Sequence, residues 1–335
     1  MASDTLAWGA ELVTPALRKA IDTLPASTRT VAGYHFGWWD EQGRPAEDTA
    51  GKLLRPTLAL LAGRAVGGAA DAALPAAVAV ELVHDFSLLH DDVIDGDTTR
   101  RHRRTAWHVF GVNAAILAGD ALLTLAFDVL AASGQAVASD AMRSLSAAVQ
   151  DLVDGQNADV SFERRTDVGL AECVRMAEGK TGALLGRASA LGAAFGGGDA
   201  EQVEGFLRFG ERLGLAFQLV DDLLGIWGDP RVTGKPVHSD LRSRKKSLPV
   251  VAALCSGTPE AAELAALYHR DEPLAGDELA HVAGLVEQAG GRAWSQTTAD
   301  ELLAEALGHL TMTHPDPIAA AELTAVANLI TRRDH

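Results

Sequence analysis

Helical periodicity runs through nearly the whole chain, and this feature limits its possible folds most strongly. Alanine and leucine recur at the spacing of a buried helix face, and alternating runs of β-branched residues are scarce. Glycine, proline, aspartate and serine interrupt the pattern at intervals. We predict helices over 6–24, 52–66, 71–95, 106–133, 137–161, 169–195, 199–227, 246–255, 276–290, 298–309 and 316–331. The expected fold is all-α, a single domain over 1–335 built as a bundle of roughly ten or more helices.

One segment, 30–50, lacks this periodicity and contains Trp38 and Trp39. We predict a surface loop there, with the two indole rings packed over an edge of the core.

Charge and composition exclude several classes of protein. The net charge of −16 argues against a broad nucleic-acid surface, and the dense basic run 100–104 directly follows aspartates, as in a local anion site. Cys173 and Cys255 lie in apolar surroundings, which argues against a disulfide framework or a zinc site and favours a reducing cytoplasm.

The N-terminus lacks the basic region of a signal peptide. No uncharged apolar run reaches the roughly 18 residues of a membrane span, so we expect no transmembrane segment.

The first acidic cluster, Asp91, Asp92 and Asp95, ends an apolar segment. Asp91 and Asp95 are one helical turn apart and share a face, so their charges repel unless a cation lies between them. Two carboxylates on one face can bind magnesium, which takes its other ligands from water and substrate phosphate. A solvated helix end is the alternative, but the apolar segment 81–89 favours partial burial.

The second cluster, Asp221 and Asp222, is less complete because Gly225 occupies the position one turn later. Asp229 is the next acid on that face. We interpret Gly225 as a gap that water or Asp229 fills, with Asp221 as the main ligand, and we expect Gly225→Asp to be tolerated or to improve magnesium binding. A helix end with unrelated acids is the alternative.

Cations accompany both clusters. They are Lys52 and Arg55 on one predicted helix face, Arg100 and Arg101 after the first cluster, Lys180 beside Thr181, and Lys235 and Lys245 around the loop after the second cluster. Each alone is a common surface charge, but together with the carboxylates they predict a diphosphate bound with magnesium.

In this order, the motifs resemble those of the trans-isoprenyl diphosphate synthases, which make farnesyl, geranylgeranyl and longer prenyl diphosphates. The resemblance runs from about residue 48 to 250. It comprises Gly-Lys-x-x-Arg-Pro at 51–56, His84, Asp-Asp-x-x-Asp at 91–95 with Arg100-Arg101, Lys180-Thr181, Gln218 with Asp221-Asp222, Gly234-Lys235, Ser239-Asp240-Leu241 and Lys245-Lys246-Ser247-Leu248-Pro249.

The resemblance implies an isoprenoid synthase-like bundle around a central cavity, two or three magnesium ions and a homodimer. It implies that Asp91, Asp95 and Asp221 are the main metal ligands, with Asp92 and Asp222 in support. The allylic diphosphate is then expected on Arg100, Lys180, Lys235 and Lys245. Isopentenyl diphosphate is expected on Lys52, Arg55, His84 and Arg101. Lys180, Thr181 and Gln218 are expected to line the reacting carbons.

The implied reaction is head-to-tail prenyl transfer. Cations and metal promote loss of the allylic diphosphate, the double bond of isopentenyl diphosphate attacks the resulting carbocation, and a proton then leaves. Such a site needs no protein nucleophile, and the chain offers no convincing Ser-His-Asp or Cys-His set.

Four places depart from the family pattern. Gly225 replaces a third aspartate, Ala50 a glycine, Arg104 a proline, and Ser243-Arg244 a Glu-Gly pair. None removes a main phosphate contact, but they leave substrate preference and rate open.

Product length is expected to depend on the residues one to two turns before Asp91, which are Val83, Phe86 and Ser87. An aromatic residue at Phe86 is similar to the pattern of family members that stop at C20. We therefore predict geranylgeranyl diphosphate, with farnesyl diphosphate next; the alternative is that Phe86 only packs the core.

Two other functions remain open. A class I terpene cyclase shares the chemistry, and Asp221, Gly225 and Asp229 stand at the spacing of its second metal site, but it has no need of Lys52, Arg55 and His84. A non-catalytic subunit of a heteromeric synthase is expected to lose one aspartate motif, and Gly225 is the sole hint of that.

Overall fold

Helices make up nearly all the regular structure of the chain. The computed structural model describes residues 2–46, 51, 53–69, 71–230, 236–270, 272–274 and 276–332. The predicted all-α fold is confirmed by these residues. Two predicted binding residues, Lys52 and Lys235, lie outside the described part of the chain.

The helices of the described residues have the following bounds. They are α1 (Ala2–Ile21), α2 (Ala26–His35), α3 (Leu54–Ala65), α4 (Leu74–Ile94), α5 (Ala106–Phe110), α6 (Val112–Ala132), α7 (Ala138–Phe162), α8 (Leu170–Ala177), α9 (Ala183–Phe195), α10 (Ala200–Trp227), α11 (Ser239–Arg242), α12 (Leu248–Leu254), α13 (Pro259–Tyr268), α14 (Asp277–Gln288), α15 (Gly291–Met312) and α16 (Pro317–Thr331). A π-helical turn, Glu178–Gly182, joins α8 to α9. A short antiparallel hairpin pairs β1 (Thr99–Arg100) with β2 (Arg103–Arg104).

The prediction of a surface loop over 30–50 is wrong in its first part, because α2 occupies Ala26–His35. This helix is short and carries two threonines and a glycine, so its sequence lacks a strong helical signal. After α2 the chain turns back on itself. Trp38 is 3% exposed and stacks on Phe36 with 4.7 Å between ring centroids. Its indole ring is therefore buried more deeply than the predicted packing over an edge of the core.

The predicted helix 106–133 is divided in two by Gly111, which has φ of 89°. This left-handed backbone favours glycine and ends α5. The long predicted helices 71–95, 137–161 and 199–227 agree with α4, α7 and α10 to within a few residues.

The first compact unit comprises Met1–Val149, Arg187–Leu207 and Leu310–Val326. Within it α4 packs against α3 and α6, α1 against α3, and α2 against α6. Leu58, Leu61, Leu82, Leu89 and Leu122 are fully buried there. Each such side chain stabilises the fold by about 1.5–3 kcal/mol relative to exposure, and this packing fixes the rotation of α4.

The second compact unit comprises Gln150–Gly186, Arg208–His309 and Ala327–His335. One of its apolar clusters forms around Phe162, Met176 and Leu219, and another around Tyr268 and Val282. The boundaries between the units fall inside helices rather than in linkers. The expectation of one domain over 1–335 stays a prediction.

Of the described helices, α6 alone is long and apolar enough to cross a membrane by length and composition. Its mean hydropathy is 1.8, and 39% of the apolar stretch is buried. A core helix of a globular protein can meet the same criterion, so this is weak evidence for a span, and the expected absence of a transmembrane segment stays a prediction.

Candidate functional site

The aspartates of the first cluster differ sharply in exposure. Asp91 is half-buried and Asp95 is exposed at the end of α4, whereas Asp92 is 1% exposed. The Nε of Arg100 donates a hydrogen bond of 2.8 Å to Oδ1 of Asp92. Burial raises the pKa of Asp92, and the Arg100 charge opposes that effect. Asp92 is therefore the internal partner of Arg100, and Asp91 and Asp95 are the more accessible oxygen donors.

The hairpin after α4 divides the basic run into two groups. Arg103 donates to the carbonyls of Tyr34 and Trp39, at 3.1 Å each, and its guanidinium lies 4.5 Å from the centroid of the Tyr34 ring. Arg104 forms a 3.4 Å ion pair with Glu41. These contacts hold the hairpin against the chain after α2, so the run is not one anion site.

The hairpin turn itself is unusual in its residues. Arg101 and His102 have φ of 49° and 62°, a left-handed conformation that glycine and asparagine normally supply. Holding two other residues there requires support from the surrounding structure, and such strain is typical of functional segments.

Arg55, His84 and Arg101 belong to one group in the first unit. Burial lowers the pKa of His84 well below its usual range, and the charges of Arg55 and Arg101 add to this effect. His84 is consequently a neutral imidazole between arginines. Gly51 adds backbone to this group, because a Cβ built on it would lie 2.5 Å from Nη2 of Arg101. The three side chains predicted for isopentenyl diphosphate that lie in the described chain are thus brought together.

In the second unit, the π-helical turn Glu178–Gly182 coincides with Lys180 and Thr181. Such turns occur often at functional sites because they change the direction of side chains within a helix. Gly155 on α7 allows the turn to approach, since a Cβ there would lie 2.6 Å from the backbone nitrogen of Lys180. The Nζ of Lys180 then reaches Oδ2 of Asp159 at 2.6 Å.

A hydrogen-bonded chain links the predicted catalytic residues to the second acidic cluster. Thr181 Oγ1 donates to Gln218 Oε1 at 2.6 Å, and Gln218 Nε2 donates to Asp222 Oδ1 at 2.8 Å. The backbone N–H of Leu248 donates to Asp222 Oδ2 at 2.9 Å. Asp222 is 3% exposed, whereas Asp221 is exposed. Both oxygens of Asp222 therefore serve internal contacts, and Asp221 is the accessible one.

Lys245 completes this group. Its Nζ lies 3.7 Å from Oδ1 of Asp222. Burial lowers the pKa of Lys245, but surrounding carboxylates outweigh burial and raise it above its usual range. They are those of Asp222, Asp240, Asp159 and Asp221. The ammonium ion is therefore retained although Lys245 is half-buried.

Gly225 is not a gap, which corrects the interpretation made from sequence. A Cβ built on Gly225 would lie 2.3 Å from Oδ2 of Asp240 and 2.5 Å from its Cγ. The Asp240 carboxylate occupies the space where a side chain at 225 would begin. This contact argues against the expectation that Gly225→Asp is tolerated.

Two acids near the site were missed as functional residues. Asp159 pairs with Lys180, and Asp240 approaches Gly225 and acts on Lys245. Asp159 carried a usable signal, because Gln156 and Asp159 share one face of α7 and Gln156 is 8% exposed. Asp240 belongs to the Ser239-Asp240-Leu241 motif noted in the sequence, but its contact with Gly225 depends on how the chain returns to α10.

The residues expected to control product length lie on the buried side of α4. Val83 is fully buried and Phe86 is 6% exposed. The Phe86 ring meets His90 edge to face, with 4.9 Å between centroids. Ser87 Oγ donates to the carbonyl of His84 at 2.7 Å.

Comparison with known proteins assigns the chain to a family. Residues 41–285 match the polyprenyl synthetase family model. A (2E,6E)-farnesyl diphosphate synthase of Mycobacterium tuberculosis is 46% identical over 326 residues, covering 96% of this chain and 91% of that protein. A geranylgeranyl diphosphate synthase of the same species is also 46% identical, over 321 residues, with the same coverage. The crystal structure of a polyprenyl synthetase from Streptomyces coelicolor superimposes with a TM-score of 0.94 at 46% identity, covering 98% of this chain and 99% of that one.

The contact between Gly225 and Asp240 predicts that Gly225→Asp destabilises the protein. The new side chain overlaps the Asp240 carboxylate and places two like charges together, which should lower the free energy of unfolding by about 1–3 kcal/mol. Urea unfolding measures the change. Gly284→Asp is the matched control, because the nearest atom to a Cβ there is the end of Gln288 at 3.9 Å. Equal stability of the two variants would contradict the close approach of Asp240.

Proposed function

The chain belongs to the polyprenyl synthetase family and is a prenyl diphosphate synthase, and we propose that it is a magnesium-dependent enzyme that joins isopentenyl diphosphate to an allylic diphosphate. The proposal rests chiefly on one observation. In each acidic cluster the first aspartate is accessible and the second is buried against a cation, Arg100 in one case and Lys245 in the other.

The accessible carboxylates suit magnesium. Asp91, Asp95 and Asp221 offer hard oxygen donors, which Mg²⁺ prefers. Within the described residues, no group of three or more metal-ligating side chains converges on one point. A magnesium ion there would complete its octahedral shell with water and substrate phosphate, as it usually does. When bound, magnesium would neutralise part of the charge of the leaving diphosphate.

The cations are proposed to divide between the two substrates. Arg100, Lys180 and Lys245, with Lys235 outside the described residues, would bind the allylic diphosphate. Asp92 and Asp222 support this site by holding Arg100 and Lys245 in place. Positive charge that is fixed before the reaction favours the departing diphosphate most, because no side chain needs to reorganise.

Isopentenyl diphosphate is proposed to bind Arg55, His84 and Arg101, with Lys52 outside the described residues. A neutral His84 can donate one hydrogen bond without adding repulsion between the arginines. The reaction breaks the allylic carbon–oxygen bond and forms a carbon–carbon bond from the isopentenyl double bond. The proton lost from the isopentenyl unit passes to the departed diphosphate. Thr181 and Gln218 would line the reacting carbons.

Removing an accessible aspartate should abolish the reaction. We expect Asp91→Ala and Asp221→Ala to lower kcat by about 100-fold or more, because each change removes a proposed magnesium ligand. The assay combines the enzyme with magnesium, isopentenyl diphosphate and farnesyl diphosphate, followed by chromatography of the products. The control Asp140→Ala removes an exposed carboxylate at the start of α7 and should keep full activity.

The same assay separates the alternative functions. A longer linear diphosphate supports the proposal. A cyclic hydrocarbon would indicate a terpene cyclase, and no turnover by the unaltered protein with either farnesyl or geranyl diphosphate would indicate a non-catalytic subunit. Activity that persists after magnesium is removed with a chelator would contradict the metal requirement.

Geranylgeranyl diphosphate is the proposed product, with farnesyl diphosphate next. Of the two relatives at 46% identity, one is named a farnesyl and the other a geranylgeranyl diphosphate synthase, so similarity alone favours neither product. Phe86 supports the choice, because a buried phenyl ring on α4 one to two turns before Asp91 would limit a prenyl chain that runs along this helix.

Phe86→Ala should lengthen the product. Loss of the ring leaves space for at least one further five-carbon unit, which chromatography of the dephosphorylated products detects. Phe195→Ala is the control, since it removes a ring of similar burial at the end of α9. An unchanged product length would mean that Phe86 only packs the core.

A homodimer is also proposed, with α6 in the contact. Leu117 is 64% exposed, Val112 43% and Ile116 37%, so this helix presents an apolar face to solvent. Such faces often mark protein contacts.

Leu117→Glu should convert the dimer to a monomer, because a charge in an apolar contact loses its hydration. Light scattering after gel filtration measures the mass. Met312→Glu is the matched control, since Met312 is 75% exposed at the end of α15. A monomeric unaltered protein, or a dimeric Leu117→Glu variant, would refute this contact.

A reducing compartment such as the cytoplasm fits the cysteines. Neither Cys173 nor Cys255 forms a disulfide. Burial raises the pKa of Cys173, and its Sγ lies 3.3 Å from the carbonyl of Lys246, so it acts as an apolar core residue.

A further inference from the structure

Two buried acids on α4 are not used by the reaction described above. Glu81 is 4% exposed and Asp85 is 2% exposed. They lie one helical turn apart and so share a face of α4. Buried carboxylates destabilise a fold unless a charge, a hydrogen bond or a proton compensates them. Their surroundings therefore indicate what they do.

The compensating charges belong to the proposed isopentenyl diphosphate subsite. The charges of Glu81 and Asp85 both act on the buried guanidinium of Arg55, and Glu81 also interacts with Arg101. Asp85 Oδ1 lies 3.1 Å from Nε2 of His35 on α2. The acids thus link three elements, α2, α3 and the hairpin, to α4.

Several buried polar atoms of this cluster form no hydrogen bond with the described part of the chain. Nε of Arg55, Oε2 of Glu81 and Oδ2 of Asp85 are buried and have no hydrogen-bond partner among the described residues. Buried polar atoms are usually satisfied. Core packing does not require three unpaired polar atoms beside the proposed isopentenyl diphosphate subsite. They therefore indicate a functional cluster.

Negative charge beneath an anion-binding site has two opposite effects. It repels the incoming diphosphate, and it fixes the guanidinium that binds the diphosphate. If repulsion dominated, removing a carboxylate would tighten binding; if fixing dominates, removal weakens it. The direction of the change therefore distinguishes the two roles.

We propose that Glu81 and Asp85 are positioning residues of the isopentenyl diphosphate subsite, which hold the guanidinium of Arg55 while His35 fixes Asp85. The inference rests on the proposed function of Arg55. Arg55 is half-buried and its Nε is fully enclosed, so its place depends on the charges beneath it as well as on solvent. Asp85, fixed by His35, supplies a counter-charge, and Glu81 is a second buried acid nearby whose charge depends on pH.

The protonation of Glu81 gives this role a distinct signature. Burial raises the pKa of Glu81 to about 8, Asp85 adds to this effect, and Arg55 and Arg101 oppose it. The other titratable groups of the cluster are His84 on α4, His35 on α2 and Arg100 on the hairpin. Below pH 8 Glu81 is mostly neutral. Above pH 8 it adds a second negative charge to the one that Asp85 already supplies, and this excess charge opposes the binding of an anion.

Asp85→Asn is the main test. Because a buried guanidinium loses its counter-charge, we expect the KM for isopentenyl diphosphate to rise about tenfold or more. The KM for the allylic diphosphate and kcat should change less than about twofold, since those depend on other residues. Glu322→Gln is the control, as it removes the carboxylate of a 2.8 Å ion pair with Arg64 in the same unit and should change neither KM.

The pH profile tests Glu81 separately. In the unaltered enzyme the KM for isopentenyl diphosphate should rise as pH increases through about 8, while the KM for the allylic diphosphate follows no such step. Glu81→Gln imitates the neutral acid, so it should keep a normal KM at pH 7 and lose the rise above pH 8. Glu81→Leu removes the carboxyl group altogether and should raise the KM at pH 7.

Direct binding separates failure of this inference from failure of the proposed function. Calorimetry measures the affinity for isopentenyl diphosphate without turnover. Tight binding by the unaltered protein without any product would refute the synthase function and leave the positioning role measurable. Unchanged or tighter binding by Asp85→Asn, or an equal rise of both KM values, would overturn the positioning role. Should Asp85→Asn fail to fold, His35→Leu, which leaves both carboxylates in place, should weaken isopentenyl diphosphate binding selectively; unchanged binding would again overturn it.

Discussion

Pairing of buried charges is the constraint on which the rest of this structure depends. Asp92 and Asp222 are almost fully buried, and leaving such a carboxylate without its partner destabilises a protein by about 3–5 kcal/mol. Their partners, Arg100 and Lys245, are cations proposed to bind diphosphate. The fold therefore needs these cations in fixed places for its own stability. A site that must neutralise a leaving group is organised before any substrate arrives.

This arrangement also explains why the two aspartates at the start of each cluster are not equivalent. The first faces away from the core and stays accessible, while the second turns inward to a cation. A helix imposes this division, since adjacent residues lie about 100° apart around its axis. The pair Asp221-Asp222 thus combines an outer carboxylate, the proposed metal ligand, with an inner anchor, and hydrogen bonds connect Asp222 through Gln218 to Thr181. Loss of the inner anchor would disturb both Lys245 and the amide of Gln218.

Much of the fold and part of the site could be predicted from sequence. Long helices such as α4 and α10 follow from apolar periodicity, and the aspartate clusters follow from charges placed on apolar segments. Helix α2 could not be predicted, because tertiary packing stabilises a segment of weak intrinsic preference. The contact of Asp240 with Gly225 was equally hidden, since it depends on the path of the chain after α10. The spacing of residues along one helix can be predicted from sequence, whereas the close approach of two separate elements cannot.

Helix α4 shows why similarity predicts the chemistry of this enzyme better than its product. Its core residues, such as Leu82 and Leu89, fix its rotation, and that rotation places His84 and Asp91 on one face and Phe86 on the buried side. A slip of one residue would turn every one of them by about 100°, so relatives that share the fold must share the motif geometry. Product length is proposed to depend instead on the volume of one or two side chains, which can change without disturbing the packing that holds the helix. Synthases of equal overall identity can therefore differ in product while they keep the same buried charge pairs.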